Sequence, residues 1–179
     1  ARKGAHIVLI ENEIAAAEAC FMLRRAGCKR LAVVSSTAGT PSIVAREEAF
    51  VAAAREAGVE AVVSRAGPTG YAAGAESARQ LLAGSKRPDG VFCATDLLAL
   101  GFLDAARIEF KLSLPQDLCV VGFDDINAAG WLGYDLTTFR QPLPEIAAHI
   151  AAVLDEDEPE ELQIRRFPAQ VIWRKTVRP

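Results

Sequence analysis

Polar side chains follow five short apolar stretches of the sequence, each at the point where the stretch ends. The five pairs are Glu11-Asn12, Ser35-Ser36, Ser64-Arg65, Thr95-Asp96 and Asp124-Asp125. If the stretches are strands of one parallel sheet, their carboxyl ends lie at the same edge, where ligands of open α/β sheets bind. Any single pair is more often a cap of the following helix. The five together predict the rim of one ligand-binding cleft.

The chemistry that this rim favours is the binding of a polar ligand. Arg46 falls in the first turns of a predicted helix, just after the second polar pair, so its guanidinium can reach back over the sheet edge. Beside Asp124 it suits a polyhydroxy ligand, because guanidinium groups donate to hydroxyls and carboxylates accept from them. The alternative is a solvated arginine on the helix surface, paired with Glu47.

Asp124 and Asp125 could instead be catalytic, either as an acid and a base or as the ligands of a magnesium ion. Such receiver-like or hydrolase sites need an acidic cluster after an early strand and a lysine on a late strand, and neither is clear here. The motifs G-x-S-x-G, G-x-G-x-x-G and G-x-x-x-x-G-K-S/T do not occur. His6 and His149, the two histidines, leave little material for a zinc site or a catalytic triad. We therefore expect no enzyme, no catalytic residue, no metal and no cofactor.

The composition is that of an ordinary soluble domain. The 179 residues are 51% hydrophobic and 24% charged, with a formal net charge of −3. No dense stripe of lysine and arginine occurs, so we expect no direct contact of this chain with nucleic acid. No apolar stretch is long enough for a membrane helix, and we expect neither a membrane partner nor a signal peptide. The four cysteines are expected to be reduced and buried.

The order of the predicted elements indicates a doubly wound parallel α/β sheet. Five apolar stretches of four or five residues alternate with four helical patterns as far as Val121, and the strand stretches show no polar alternation. The predicted strands are 6–10, 31–34, 59–63, 91–94 and 118–121, and the predicted helices are 13–25, 42–57, 72–83 and 97–109. Beyond residue 125 we expect a strand at 136–139, a helix from Pro142 to about 154, an acidic linker at 155–161, and extended segments at 162–165 and 171–173.

Three segments resemble the effector-binding core of the lactose-repressor (LacI/GalR) family of bacterial transcription regulators. They are ATDLLALGFLDAA, LPQDLCVVGFDDINAAGWLGYDLTTFRQP and FPAQVIWRKT, and the upstream SIVAREEAFVAAAREAG is similar to the family's R-x-x-G-F helix. The resemblance implies a type I periplasmic-binding-protein-like fold of two lobes with a small ligand between them, of which the C-terminal lobe is a flavodoxin-like or Rossmann-like three-layer α/β/α sandwich. It implies that residues 1–138 form the C-terminal lobe, 139–167 a remnant of the N-terminal lobe, and 168–179 a strand returning to the C-terminal lobe.

The resemblance also implies a set of ligand contacts. Arg46 matches the family arginine that binds effector hydroxyls or carboxylates, and Asp124 matches the effector-binding aspartate of G-F-D-D. Thr95 stands where many members have the asparagine of A-N-D, which changes the donors and acceptors offered to the ligand. Thr69 falls where an aromatic residue usually stacks on the ligand, with Tyr71 nearby as a possible substitute.

A homodimer is implied by the family and by apolar residues in two places. Leu100 and Leu103 share one face of a predicted helix, and Trp131 and Leu132 lie in an irregular segment after the D-D motif. Exposed, these four would form a patch typical of interfaces. The alternative is a core role, which for Leu100 is equally plausible.

The sequence therefore predicts the effector-sensing and dimerisation region of a cytoplasmic LacI-type regulator. Its effector would be a sugar or another small polar metabolite, and operator DNA would be contacted only through a helix-turn-helix that this chain does not contain. The alternative function is a periplasmic-type sugar-binding protein for transport or chemoreception.

Overall fold

The computed structural model describes residues 4–154, 159 and 161–179. The elements in chain order are β1 His6–Ile10, α1 Asn12–Arg25, β2 Leu31–Val34, α2 Pro41–Glu56, β3 Ala61–Ser64, α3 Tyr71–Leu82, β4 Gly90–Cys93, α4 Asp96–Ile108, β5 Cys119–Val121, β6 Thr138–Arg140, α5 Leu143–Leu154, β7 Gln163–Phe167 and β8 Gln170–Ile172. The predicted alternation of strands and helices is confirmed.

The main sheet consists of four parallel strands in the order β3-β2-β4-β5. Alternate side chains of the buried strands point to opposite faces: Ala32 and Val34 belong to the core beneath α3 and α4, while Leu31 and Val33 belong to the core beneath α1 and α2. The fold is thus a doubly wound three-layer α/β/α sandwich, as predicted. The strand order reverses direction between β2 and β4, which is where such sheets bind ligands.

The prediction that residues 6–10 begin this main sheet is wrong. β1 pairs with β7 instead, in a separate two-stranded parallel sheet that aligns His6 with Gln163 and Ile10 with Phe167. An apolar stretch specifies that a strand forms but not which strand it pairs with, so the sequence could not separate the two cases. The pairing joins β1 to the segment predicted to be the remnant of another lobe; the division into lobes stays a prediction.

Two glycines fix where helices α1 and α2 end. Gly27 and Gly58 have positive φ values of 82° and 71°, and after Gly58 the Val59 N–H bonds the Ala54 carbonyl, 2.9 Å away. This Schellman arrangement takes Val59 into the helix terminus, so β3 begins at Ala61 rather than at the predicted residue 59.

The C-terminal part of the chain returns to the main sheet. β8 pairs with β6 in an antiparallel ladder, and the Thr176 hydroxyl donates to the Val120 carbonyl at 2.7 Å. Helix α5, by contrast, has no buried residue. Most of the predicted acidic linker, residues 155–158 and 160, lies outside the described residues. Among the helices in the described ranges, none combines the length and apolar character that a membrane crossing needs.

The dimer prediction required Leu100 and Leu103 to lie on the surface of this chain, but both are buried. They are 5% and 0% exposed, because α4 packs against both the sheet and α3 and nine of its thirteen residues are buried. The helix is apolar almost all round, so its sequence did not reveal which face is outermost. Trp131 and Leu132 are 62% and 97% exposed, and their place in a dimer interface stays a prediction.

Candidate functional site

A pocket of about 400 Å³ opens at the carboxyl ends of β2 and β4, beside β1. Its lining combines an apolar wall with six polar side chains: Val8, Leu9, Ile10, Asn12, Ser42, Ile43, Arg46, Thr95, Asp124 and Gln141. The structure therefore brings three of the five predicted ligand residues, Arg46, Thr95 and Asp124, to one cavity. Two of the five predicted polar strand ends contribute directly through Thr95 and Asp124, and a third through Asn12.

Arg46 is the most constrained residue of the pocket. Although charged, it is only 4% exposed, which excludes the alternative of a solvated surface arginine. Its Nε donates to the Asn12 side-chain oxygen and its Nη1 to the Ala94 carbonyl, both at 2.7 Å. The guanidinium carbon lies 3.5 Å from the ring centre of Phe123. Burial lowers the pKa of Arg46, and the nearby Asp124 carboxylate opposes that shift.

Asp124 provides the negative charge of the pocket. Its Oδ1 lies 3.5 Å from Arg46 Nη1 and accepts from the Gln141 side-chain amide at 2.9 Å. Burial raises its pKa, against the attraction of Arg46. Its backbone has φ of 119°, and that of Asp125 has φ of 52°, conformations that cost energy for residues with a side chain. The carboxylate is therefore held in place by a strained loop.

Asp125 anchors the same loop through ion pairs with two arginine side chains. Its carboxylate accepts from Arg140 Nε at 2.6 Å and from Arg174 Nη2 at 2.7 Å. The predicted alternative of a metal or catalytic pair is not supported, since Asp124 and Asp125 engage different partners. In the part of the chain that the structure describes, no cluster of three or more metal-ligating side chains occurs.

Thr95 faces the pocket and also begins α4. Its hydroxyl oxygen accepts from the Leu98 N–H at 3.4 Å, so Thr95 rather than Asp96 is the residue of this polar pair that caps α4. The next residue, Asp96, is fully buried and accepts from the Thr138 hydroxyl at 2.6 Å and from the Ile126 N–H at 2.9 Å. Asp96 thus positions the loop that carries Asp124.

Glycine at position 122 is what lets Asp96 occupy this place. A Cβ atom there would lie 2.2 Å from Asp96 Oδ1. Burial raises the pKa of Asp96 to about 6, although the bonds from Thr138 and Ile126 oppose the shift. The folded protein therefore keeps this proton to a higher pH than the unfolded chain does.

The contribution of Asp96 to stability is expected to depend on pH. It should be fully present below about pH 4 and be lost as the pH rises through about 6, a change of about 3 kcal/mol. The difference in unfolding free energy between wild type and Asp96→Asn should shrink by about that amount across this range, as urea titrations at stepped pH would show. The exposed control Asp117→Asn should follow the wild-type profile. A constant difference for Asp96→Asn would contradict the prediction.

Thr69 and Tyr71 are not brought to the pocket. The Thr69 hydroxyl donates to Ser36 at 2.9 Å. Tyr71 begins α3, and its hydroxyl donates to Asp104 on α4 at 2.6 Å, a bond that raises its pKa to about 12. Nothing in this geometry supports their predicted role as ligand contacts.

Gln141 and Ser42 are pocket residues that the sequence did not indicate. Gln141 follows β6, whose position beside the G-F-D-D loop arises from pairings distant in sequence, so no local signal could have found it. Asn12 was noted as a strand-end residue, but its role differs from the predicted helix cap. It orients Arg46, while α1 has no side-chain cap bond.

The fold and this pocket define a class of ligand-binding domain. Residues 22–177 match the periplasmic binding protein-like domain, and the chain belongs to this family. It is 33% identical over 149 residues to the HTH-type transcriptional repressor CytR of Escherichia coli K12, covering 82% of this chain and 43% of that protein. It is 37% identical over 100 residues to the ribose operon repressor of the same organism, covering 50% and 30%.

A solved structure of a transcription regulator is also similar to this chain. A LacI-family transcriptional regulatory protein from Corynebacterium glutamicum superposes with a TM-score of 0.84 at 26% identity, covering 99% of this chain and 72% of that one. The resemblance to LacI-type regulators is thus confirmed. The chain spans less than half the length of the repressors it matches.

Proposed function

We propose that this chain is the effector-sensing region of a LacI-type transcription regulator and that its effector is a sugar or a related polyhydroxy metabolite. The observation that carries the proposal is the buried Arg46 beside Asp124 in the lining of the pocket, with 3.5 Å between Arg46 Nη1 and Asp124 Oδ1. A fixed donor fork beside a fixed acceptor matches adjacent hydroxyl groups, and the apolar wall from β1 suits the carbon face of a sugar ring.

Sensing would work through differential affinity. A ligand held by Arg46 and Asp124 favours whichever arrangement of two lobes encloses it best, and this shifts the equilibrium between arrangements. Helix α5 has no buried residue, consistent with a second wall supplied by further chain. We expect this chain alone to bind the effector weakly, because one wall buries too little of a small ligand.

The partners follow from the same proposal. The exposed Trp131 and Leu132 would lie in a homodimer interface, and operator DNA would be bound by a separate helix-turn-helix in the cytoplasm. The alternative, a sugar-binding protein for transport or chemoreception, is not favoured, because the curated relatives are repressors. An enzymatic function is not favoured for the same reason.

The experiment is an effector titration of the full-length regulator on its operator DNA, with D-ribose and other monosaccharides as first probes. Asp124→Ala should abolish the effector response and leave operator affinity without effector within about twofold of wild type. The exposed control Asp117→Ala should respond as wild type does. An Asp124→Ala protein that responds normally would exclude this pocket as the effector site, and loss of operator binding as well would indicate misfolding.

A further inference from the structure

Two buried thiols meet at the amino end of the main sheet, away from the pocket. Cys28 follows the turn that ends α1, and Cys119 is the first residue of β5; both are 0% exposed. The Cys28 thiol donates to the Asp89 carbonyl at 3.1 Å, and the Cys119 backbone N–H donates to the same oxygen at 2.9 Å. The two residues are thus brought together by one peptide group of the β4 entry.

Gly90 leaves the space that the Cys28 side chain occupies next to Cys119. In the β4–β5 register Gly90 is directly opposite Cys119. A Cβ on Gly90 would lie 2.9 Å from the Cys28 Sγ, so the Cys28 side chain covers the position that Gly90 leaves vacant. Both cysteines belong to the core beneath α1 and α2. The Cys119 thiol donates to the Pro115 carbonyl at 3.6 Å, and the same carbonyl accepts from Arg178.

A guanidinium group lies against this pair. Arg178 Nη2 is 3.3 Å from the Cys28 Sγ, and the same side chain donates to the carbonyls of Ala26 at 2.8 Å and Pro115 at 2.6 Å. It therefore bridges the two loops that lead into Cys28 and Cys119. A positive charge at this distance favours the thiolate form of a nearby cysteine.

The pair differs electrostatically from the other two cysteines. Cys28 and Arg178 together lower the pKa of Cys119 to about 7, whereas the neighbouring Cys119 raises the pKa of Cys28. Burial raises the pKa of Cys20 to about 11 and that of Cys93 well above its usual value. One thiol of four is therefore disposed to act as a nucleophile near neutral pH.

A small oxidant has a route to this thiol. Arg178 and Ala26 border a surface cavity of about 350 Å³, with Met22, Trp173 and Pro179. The Cys28 thiol lies directly behind the Arg178 side chain, which is itself only half-buried. Movement of this one arginine side chain would admit a molecule the size of hydrogen peroxide.

We propose that Cys28 and Cys119 are a redox-active pair, which a peroxide converts to an intramolecular disulfide and a thiol reductant restores. The Cys119 thiolate attacks one peroxide oxygen, the O–O bond breaks, and the departing oxygen takes the proton released by Cys119 and leaves as water. The Cys28 sulfur then attacks the sulfenic sulfur; the S–S bond forms, the S–O bond breaks, and hydroxide leaves with the Cys28 proton as a second water. Two thiols lose two electrons and two protons, and the peroxide is reduced to water.

The disulfide would fasten the α1–β2 turn to β5 across β4. A bond between residues 28 and 119 closes a long loop of the unfolded chain, so it should stabilise the folded state. The effect concerns the stability of the main sheet and is independent of whether the pocket binds a sugar. Failure of the effector titration would leave this inference intact, and the reverse also holds.

The test is oxidation of the folded protein with a small excess of hydrogen peroxide, followed by intact mass measurement and peptide mapping. The expected result is loss of two hydrogen atoms, a Cys28–Cys119 cross-linked peptide, and a rise in melting temperature of roughly 5–10 °C that dithiothreitol reverses. Cys119→Ala and Cys28→Ala should each abolish the cross-link, whereas Cys20→Ala should retain it. Oxygen addition without a cross-link, or equal oxidation of Cys20 and Cys93, would overturn the proposal.

The variant Arg178→Gln tests whether Arg178 activates the Cys119 thiol. With wild type, the rate of Cys119 alkylation by iodoacetamide should rise with a midpoint near pH 7, and in the variant the midpoint should move upward by about one unit. Disulfide formation at pH 7 should slow accordingly. An unchanged midpoint in a folded variant would show that Arg178 only anchors the C-terminus and does not activate the pair.

Discussion

Arg46→Met in the full-length regulator is expected to weaken effector binding by about 100-fold or more, which corresponds to about 3 kcal/mol. Methionine keeps much of the side-chain volume but removes every donor, so Asn12 and the Ala94 carbonyl lose their hydrogen bonds from Arg46 and Asp124 loses its ion pair. Arg46→Lys should fail almost as badly, because one ammonium group cannot reach all three acceptors as the planar guanidinium does. Isothermal titration calorimetry with the best monosaccharide found would measure the loss.

The matched control for Arg46 lies on the same helix. Arg55 is exposed, and Arg55→Met should leave both the dissociation constant and the melting temperature unchanged. Circular dichroism of Arg46→Met is needed alongside, since removal of a buried charge partner also lowers stability. Binding within threefold of wild type by a folded Arg46→Met protein would contradict the assignment of this residue to the effector site.

Gly101→Ala is expected to destabilise the fold by about 3 kcal/mol or more, despite the better helix propensity of alanine. Helices α3 and α4 cross at a contact made by two glycines. A Cβ on Gly101 would lie 1.9 Å from the Tyr71 carbonyl oxygen, and one on Gly74 would lie 2.0 Å from that of Leu98. Backbone atoms cannot move aside as side-chain ends can, so the helices would have to separate. Urea unfolding of the two proteins would measure the difference.

Gly133→Ala is the control for Gly101, because nothing lies within 4 Å of a Cβ at that position. Its unfolding free energy should stay within about 0.5 kcal/mol of wild type. A small effect at Gly101 as well would mean that α3 and α4 are not packed as closely as described.

Much of the main sheet could be predicted because its signals are local. The apolar strands and the glycine stops at Gly27 and Gly58 each depend on a few neighbouring residues. The partner of β1 could not be predicted, because residues 6–10 are equally suited to either sheet. The outward face of α4 was missed for a related reason: a helix that is buried nearly all round shows no apolar stripe.

The candidate site, like the sheet, could be predicted only in part. Arg46, Thr95 and Asp124 were found because parallel strands bring their carboxyl ends to one edge, and the structure confirms that they line one pocket. Tyr71 was misplaced because the loop before α3 turns its side chain toward Asp104 rather than toward the cavity. Gln141 depends on the return of β6 to the Asp124 loop, a pairing that no local pattern encodes.

The pairing of β1 with β7 has a consequence for the order in which the chain folds. His6 must find Gln163 across almost the whole length of the sequence, whereas the strands of the main sheet pair with partners one or two crossovers away. Contacts between distant residues carry the larger loop-closure cost and form late. During synthesis on the ribosome, the sandwich of β2 to β5 can therefore assemble while β1 is still unpaired, and the apolar wall that β1 adds to the pocket is completed last.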